Sequence, residues 1–276
     1  MPLQLSITVT YSDRLVMEAY LEQINQLIPI HQAVAGFNPA VRHLYPIAVV
    51  VGDEFLIFDV AANTPQYKFI KTAPTPMPIP TGIRAAFQLA DYSGRITCVV
   101  TPDVFDTLAG YVTVLHEFVH CYQYETCEQD LKAKLDVAKL AEEQGDVMWE
   151  IEHPFPYQAR SFQRGYQGFL EAADREDMQQ ISNTRKALKT YLGRHDFEYM
   201  VWQEWKEGFA RWVENHLRAQ LGLTENIIGL VPPFSRVTFY AGGAAYIDLL
   251  QAHNPALVED LRQLFERIHT PNGDKY

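Results

Sequence analysis

The hydrophobic period of this chain changes near residue 101, and that change limits the fold more than any single motif does. Before it, apolar residues alternate or run together in short β-branched stretches: LQLSITVTY (3–11), IAVVV (47–51), FLIFDV (55–60) and RITCVV (95–100). Alternation puts apolar side chains on one face of a pleated strand, and short wholly apolar runs suit strands covered on both faces. Four strands are therefore predicted, with Gly52-Asp53-Glu54 turning the second into the third. Asp91-Tyr92-Ser93-Gly94 would turn a preceding extended stretch into the fourth. One amphipathic helix is expected at about 13–29. The four prolines of TAPTPMPIPTG (72–82) remove amide donors and mark a surface loop.

After residue 101 apolar residues recur at helical spacing. Thr101-Pro102-Asp103 reads as a capped helix start, and Val104, Leu108, Val112, Leu115 and Val119 mark its buried face. Further helices are expected at about 130–144, 157–179, 183–192, 196–220, 240–252 and 255–268. Strands first and helices after give an α+β chain: a small antiparallel or mixed N-terminal sheet, then a mainly helical C-terminal part. The 276 residues are read as one domain, sheet-rich over 1–101 and helical over 102–276.

Thirty-four acidic against 23 basic side chains, a net charge of −11, disfavour contact with a nucleic-acid backbone. No apolar run reaches the roughly 18 residues of a membrane span, and MPLQLSITVTYSDR has no leader pattern. Cys98, Cys121 and Cys127 form neither an even set nor a CxxC pair, so reduced thiols and a cytoplasmic setting are expected. There is no nucleophile elbow, phosphate-cradling loop or dinucleotide fingerprint.

Chemistry concentrates in VTVLHEFVHCYQYE (112–125). Residues four apart on a helix project from the same face, so His116 and His120 can each turn an imidazole nitrogen to one metal ion. Glu117 stands beside them and could take a proton from a metal-bound water. The plainer reading, three polar residues in an apolar helix, would bury three titratable groups without a reason. A catalytic zinc site needs a third protein ligand and one open position. The best source is VWQEWKEGFARWVENH (201–216), where Glu204, Glu207, Arg211 and Glu214 fall along one helical stripe. An exposed charged stripe is the plain alternative there.

HEFVH followed by WKEGFARWVE resembles the gluzincin metallopeptidases, in which two histidines and the glutamate of an E-G-x-A-x-[YW]-x-E helix bind zinc. That resemblance implies a zincin-like fold, one Zn2+ held by His116, His120 and Glu207, Glu117 as general base and a peptide or protein substrate. Glu204, one turn earlier, is the fallback ligand, and Glu214 would orient a histidine. FYAGGAAYIDLL (239–250) resembles the Y-x-x-G-[AF] helix of the same enzymes, which places Tyr240 at the oxyanion. Eighty-six residues separate His120 from Glu207, implying a helical insertion at about 128–195. No G-x-M-E-N stretch is present, so the likeness stops short of aminopeptidase specificity. RITCVV is expected to be the edge strand on which an extended substrate lies. Two rival functions stay open: a zincin-like peptide- or protein-binding protein without catalysis, and a metal-dependent hydrolase of a non-peptide amide.

Overall fold

The structure is a computed structural model that describes residues 11–61 and 64–270. It is a mixed α+β chain, with one five-stranded mixed sheet in the N-terminal half and helices after it. The chain divides into two compact units, the first comprising the described residues up to Phe37 together with Val41–Cys121, the second Asn38–Ala40 together with residues from 122 onward.

The first unit opens with α1 (Tyr11–Asn25) and α2 (Leu27–Val34), separated only at Gln26. The strand expected at 3–11 lies outside the described residues except for Tyr11, which already begins α1. The single helix expected at 13–29 is thus two. The strands follow: β1 (Ile47–Val51), β2 (Glu54–Val60), β3 (Tyr67–Pro74), β4 (Arg84–Leu89) and β5 (Arg95–Val100), ordered β3-β2-β1-β5-β4. Gly52 and Asp53 make the β1–β2 hairpin, with Val51 opposite Glu54. β5 runs parallel to β1, Ile47 facing Cys98, and antiparallel to β4. Internal position explains why β1 and β5 are almost wholly apolar: both faces are covered. It also corrects an expectation, since RITCVV is interior and the edges are β3 and β4. One face of the sheet buries Ala48, Val50, Phe55, Ile57 and Val99, with Ile70 and Phe87 packed against them.

The helix expected from Thr101 starts later. Pro102–Asp106 form a 3-10 turn, and α3 spans Leu108–Gln123. Thr101 spends its hydroxyl on Asp103 and on the Gly82 amide instead of capping a helix, and Leu108 is exposed instead of lying on the buried face. From Val112 onward the helix does bury the expected residues: Val112, Leu115 and Val119 are all inaccessible. Its ring contacts tie it to the sheet unit, Phe118 lying edge-on to Tyr45 at 5.6 Å, while the Tyr111 hydroxyl donates to the Gln23 carbonyl at 2.9 Å.

In the second unit the chain passes through a π turn (Tyr124–Glu128), α4 (Gln129–Lys132), α5 (Asp136–Gln144), α6 (Trp149–Glu152) and α7 (Arg160–Asp174). Then come α8 (Met178–Gln220), α9 (Arg236–His253) and α10 (Leu261–His269). The helix expected at 130–144 is interrupted between Lys132 and Asp136. The break expected between 192 and 196 is present inside α8, where Gly193 takes φ 72°, a conformation that only glycine adopts without strain. Below the break α8 packs on α9 at very close range. A Cβ on Gly208 would fall 2.7 Å from the Gly243 Cα, and one on Gly243 would fall 2.4 Å from the Glu204 carbonyl. The glycines of EGFA and YAGGA therefore have a packing duty: they let two backbones touch. No strand follows β5 among the described residues.

Candidate metal centre

α3 carries acidic or basic side chains at three positions only. His116, Glu117 and His120 are all buried, with 7%, 6% and 7% of their surface exposed. The four-residue spacing sets the two imidazoles on one face, ring centroids 4.9 Å apart. The Gln123 side-chain amide donates to the Lys206 carbonyl at 3.0 Å and the Trp205 carbonyl at 3.5 Å, the two residues just before Glu207. One ligand atom each from His116, His120 and Glu207 lies within 4.8 Å of the other two.

These donors suit a divalent metal. Four tetrahedral ligands at zinc distances stand about 3.4 Å from each other, so three atoms already gathered within 4.8 Å need only a small contraction. Two imidazoles and a carboxylate are the borderline set that zinc takes, and they leave room for a fourth, non-protein ligand.

The neighbouring glutamate on α8 has another occupation. Glu204 is inaccessible; its Oε2 pairs with the Arg185 guanidinium at 2.8 Å and its Oε1 accepts from the Tyr166 hydroxyl at 3.0 Å. Arg185 in turn donates to the Ile268 carbonyl at 2.9 Å and lies 4.9 Å above the Tyr246 ring. Burial pushes the Glu204 carboxyl above its ordinary range, against the pull of Arg185 and of its hydrogen bonds. The donors gathered for a metal are those of His116, His120 and Glu207, and Glu204, the fallback expectation, is not among them. Glu214, expected to orient a histidine, accepts from Arg211 Nε at 3.1 Å and from Asn226 Nδ2 at 3.0 Å, which fastens the segment after α8.

Tyr240, on the first turns of α9, is half-buried. Two guanidiniums bracket its ring, that of Arg211 at 5.6 Å and that of Arg236 at 5.3 Å. Arg236 also reaches the Glu207 carboxylate, Nη1 to Oε1 3.5 Å, so Tyr240 and Glu207 share a neighbour. Sequence reasoning passed over Arg236 because it lies outside every motif. It also missed the charged group behind Lys206, which pairs with Glu128 and Glu150 at 2.8 Å each, while Glu150 also takes Lys132 at 2.6 Å. Burial would raise the Glu150 carboxyl, but the two lysines outweigh it and hold it at about 2. No linear signal points to this group, whose members lie as far as 78 residues apart.

Of the histidines without a partner at i+4, buried His31 bonds the Val41 carbonyl at 2.9 Å and exposed His253 that of Leu249 at 2.8 Å. Among the described residues no helix is long and apolar enough to cross a membrane. Compared with protein-family models, with curated proteins and with solved structures, the chain matches none.

Proposed function

We propose that this chain is a zinc-dependent metallopeptidase of gluzincin type, with His116, His120 and Glu207 as ligands. The observation that carries the reading is the gathering of those three donors within 4.8 Å of one another, two of them in an otherwise apolar buried helix. Zinc held there would act as a Lewis acid, lowering the pKa of a water and polarising the peptide carbonyl. Glu117 accepts the proton as the water oxygen bonds to the carbonyl carbon, and returns it to the nitrogen as the C–N bond breaks. Tyr240 donates its phenol proton in a hydrogen bond to the carbonyl oxygen as charge develops on it, its ring held between Arg211 and Arg236.

Elemental analysis of the purified chain should find about one zinc per molecule, and a peptide library should be cleaved. Glu117→Gln should keep the metal and lose hydrolysis by roughly 10²–10⁴-fold. Undiminished cleavage by that variant would remove Glu117 from the reaction, and a wild-type chain that takes no zinc would end the reading.

A further inference from the structure

Arg211 and Arg236 both face Tyr240, yet their surroundings differ. Arg211 is engaged through Nε by the Glu214 carboxylate at 3.1 Å and through Nη1 by the Asn226 carbonyl at 3.1 Å and the Ile228 carbonyl at 3.4 Å. Arg236 has one carboxylate within ion-pair distance among the described residues, Glu207, at a long 3.5 Å, and 30% of its side chain is exposed. Its guanidinium lies 5.3 Å from the centre of the Tyr240 ring.

The carboxylate of Glu207 is the one that would ligate the metal. Once its charge is committed there, the guanidinium is left partly buried against the Tyr240 ring, with no other carboxylate within ion-pair distance among the described residues. A charge in that position calls for a replacement. A guanidinium presents a planar fork of donors whose best match is a carboxylate held bidentately, while the Tyr240 ring backs it at 5.3 Å. Because Arg236 touches a metal-ligating residue, an anion that it receives lies beside the reacting bond and not at a remote subsite.

We infer that Arg236 is the specificity-determining residue of this site and takes a substrate carboxylate adjacent to the scissile bond, selecting peptides that present one there. The inference rests on the metallopeptidase reading. Two sources share this chemistry, the α-carboxylate of a chain end and the side chain of an acidic residue.

The test is a binding measurement that needs no turnover. The full-length chain is loaded with zinc, its metal content is measured, and it is titrated calorimetrically with three probes: N-acetylphenylalanine, its amide, and N-acetylglutamic acid α-amide. At least one carboxylate probe should bind about tenfold more tightly than the neutral amide. Preference for N-acetylphenylalanine identifies the chain end as the source, and preference for the glutamic α-amide identifies the side chain; either supports the assignment. The preference should fall below about twofold in Arg236→Gln and survive in part in Arg236→Lys, which keeps the charge and loses the fork. A zinc-loaded wild type that binds acids and amide alike, or an Arg236→Gln chain that keeps the preference, overturns the inference and leaves the metallopeptidase reading standing. A chain that takes up no zinc removes both. Should Arg236→Gln fail to fold, the wild-type comparison and Arg236→Lys still decide.

Discussion

Glu204 and Glu207 stand one turn apart on α8, share a residue type and a helix face, and have opposite surroundings. Glu204 is wholly enclosed, its charge answered at 2.8 Å by Arg185 and its second oxygen by Tyr166. Glu207 is 14% exposed, meets Arg236 only at 3.5 Å, and lies within 4.8 Å of two histidine nitrogens. One carboxylate is enclosed by side chains of α7 and α8; the other is gathered with two histidines in a group that could hold a metal. Residue type and spacing alike are silent on this distinction. What decides it is which residues from far along the chain arrive opposite each position.

The contrast can be broken most forcefully at the enclosed glutamate. Glu204→Ala strands the buried Arg185 guanidinium and should destabilise the chain by about 3–5 kcal/mol in denaturant titration. Zinc content in whatever fraction stays folded should be unchanged, and metal loss from folded protein would return Glu204 to the ligand set. A smaller effect is expected from acid. Glu150 is held at about 2, below its ordinary 4.5, so its ion pairs stabilise the fold fully above about pH 4.5 and lose their contribution as pH falls towards 2. The loss is roughly 3 kcal/mol and should follow unfolding monitored along that range. A Glu150→Gln chain that is as acid-sensitive as the wild type would detach the effect from this residue.

Gly208→Ala tests the crossing that carries both glutamates. Its Cβ would meet backbone, which cannot swing away as a side chain can, and about 1–3 kcal/mol should be lost with some metal affinity. Smallest in stability is Glu207→Ala, which should shift unfolding by less than about 1 kcal/mol while abolishing zinc binding. If Glu207→Ala destabilises as much as Glu204→Ala, the two positions are alike and the contrast fails.

Much of the sheet is readable because IAVVV, FLIFDV and RITCVV are covered strands whose composition departs sharply from a loop. β3 and β4 escape for the complementary reason. As edge strands they carry Lys68, Lys71 and Thr72, or Arg84 and Gln88, exposed or half-buried among apolar residues, which blurs the alternation. The break between α1 and α2 escapes because Gln26, neither glycine nor proline, occupies it. At the site, His116 and His120 are readable because a helix alone fixes their relation. Glu207 is readable only through its likeness to a known motif, and its separation from Glu204 depends on Tyr166, 38 residues away from Glu204. Arg236 belongs to no periodic face that would mark it, and only packing sets it beside Glu207.

The bond from Gln123 to the Lys206 carbonyl spans 83 positions, so it closes a long loop. The entropy of closing a loop rises only with the logarithm of its length, about 0.6 kcal/mol for each doubling. The segment between the two helices could therefore grow or shrink by whole helices with little thermodynamic penalty to the closure itself. Assembly order is another matter. One helical turn is enough to set the two histidines on a common face, whereas the place of the glutamate depends on contacts between positions far apart in the chain, the kind that slow folding most.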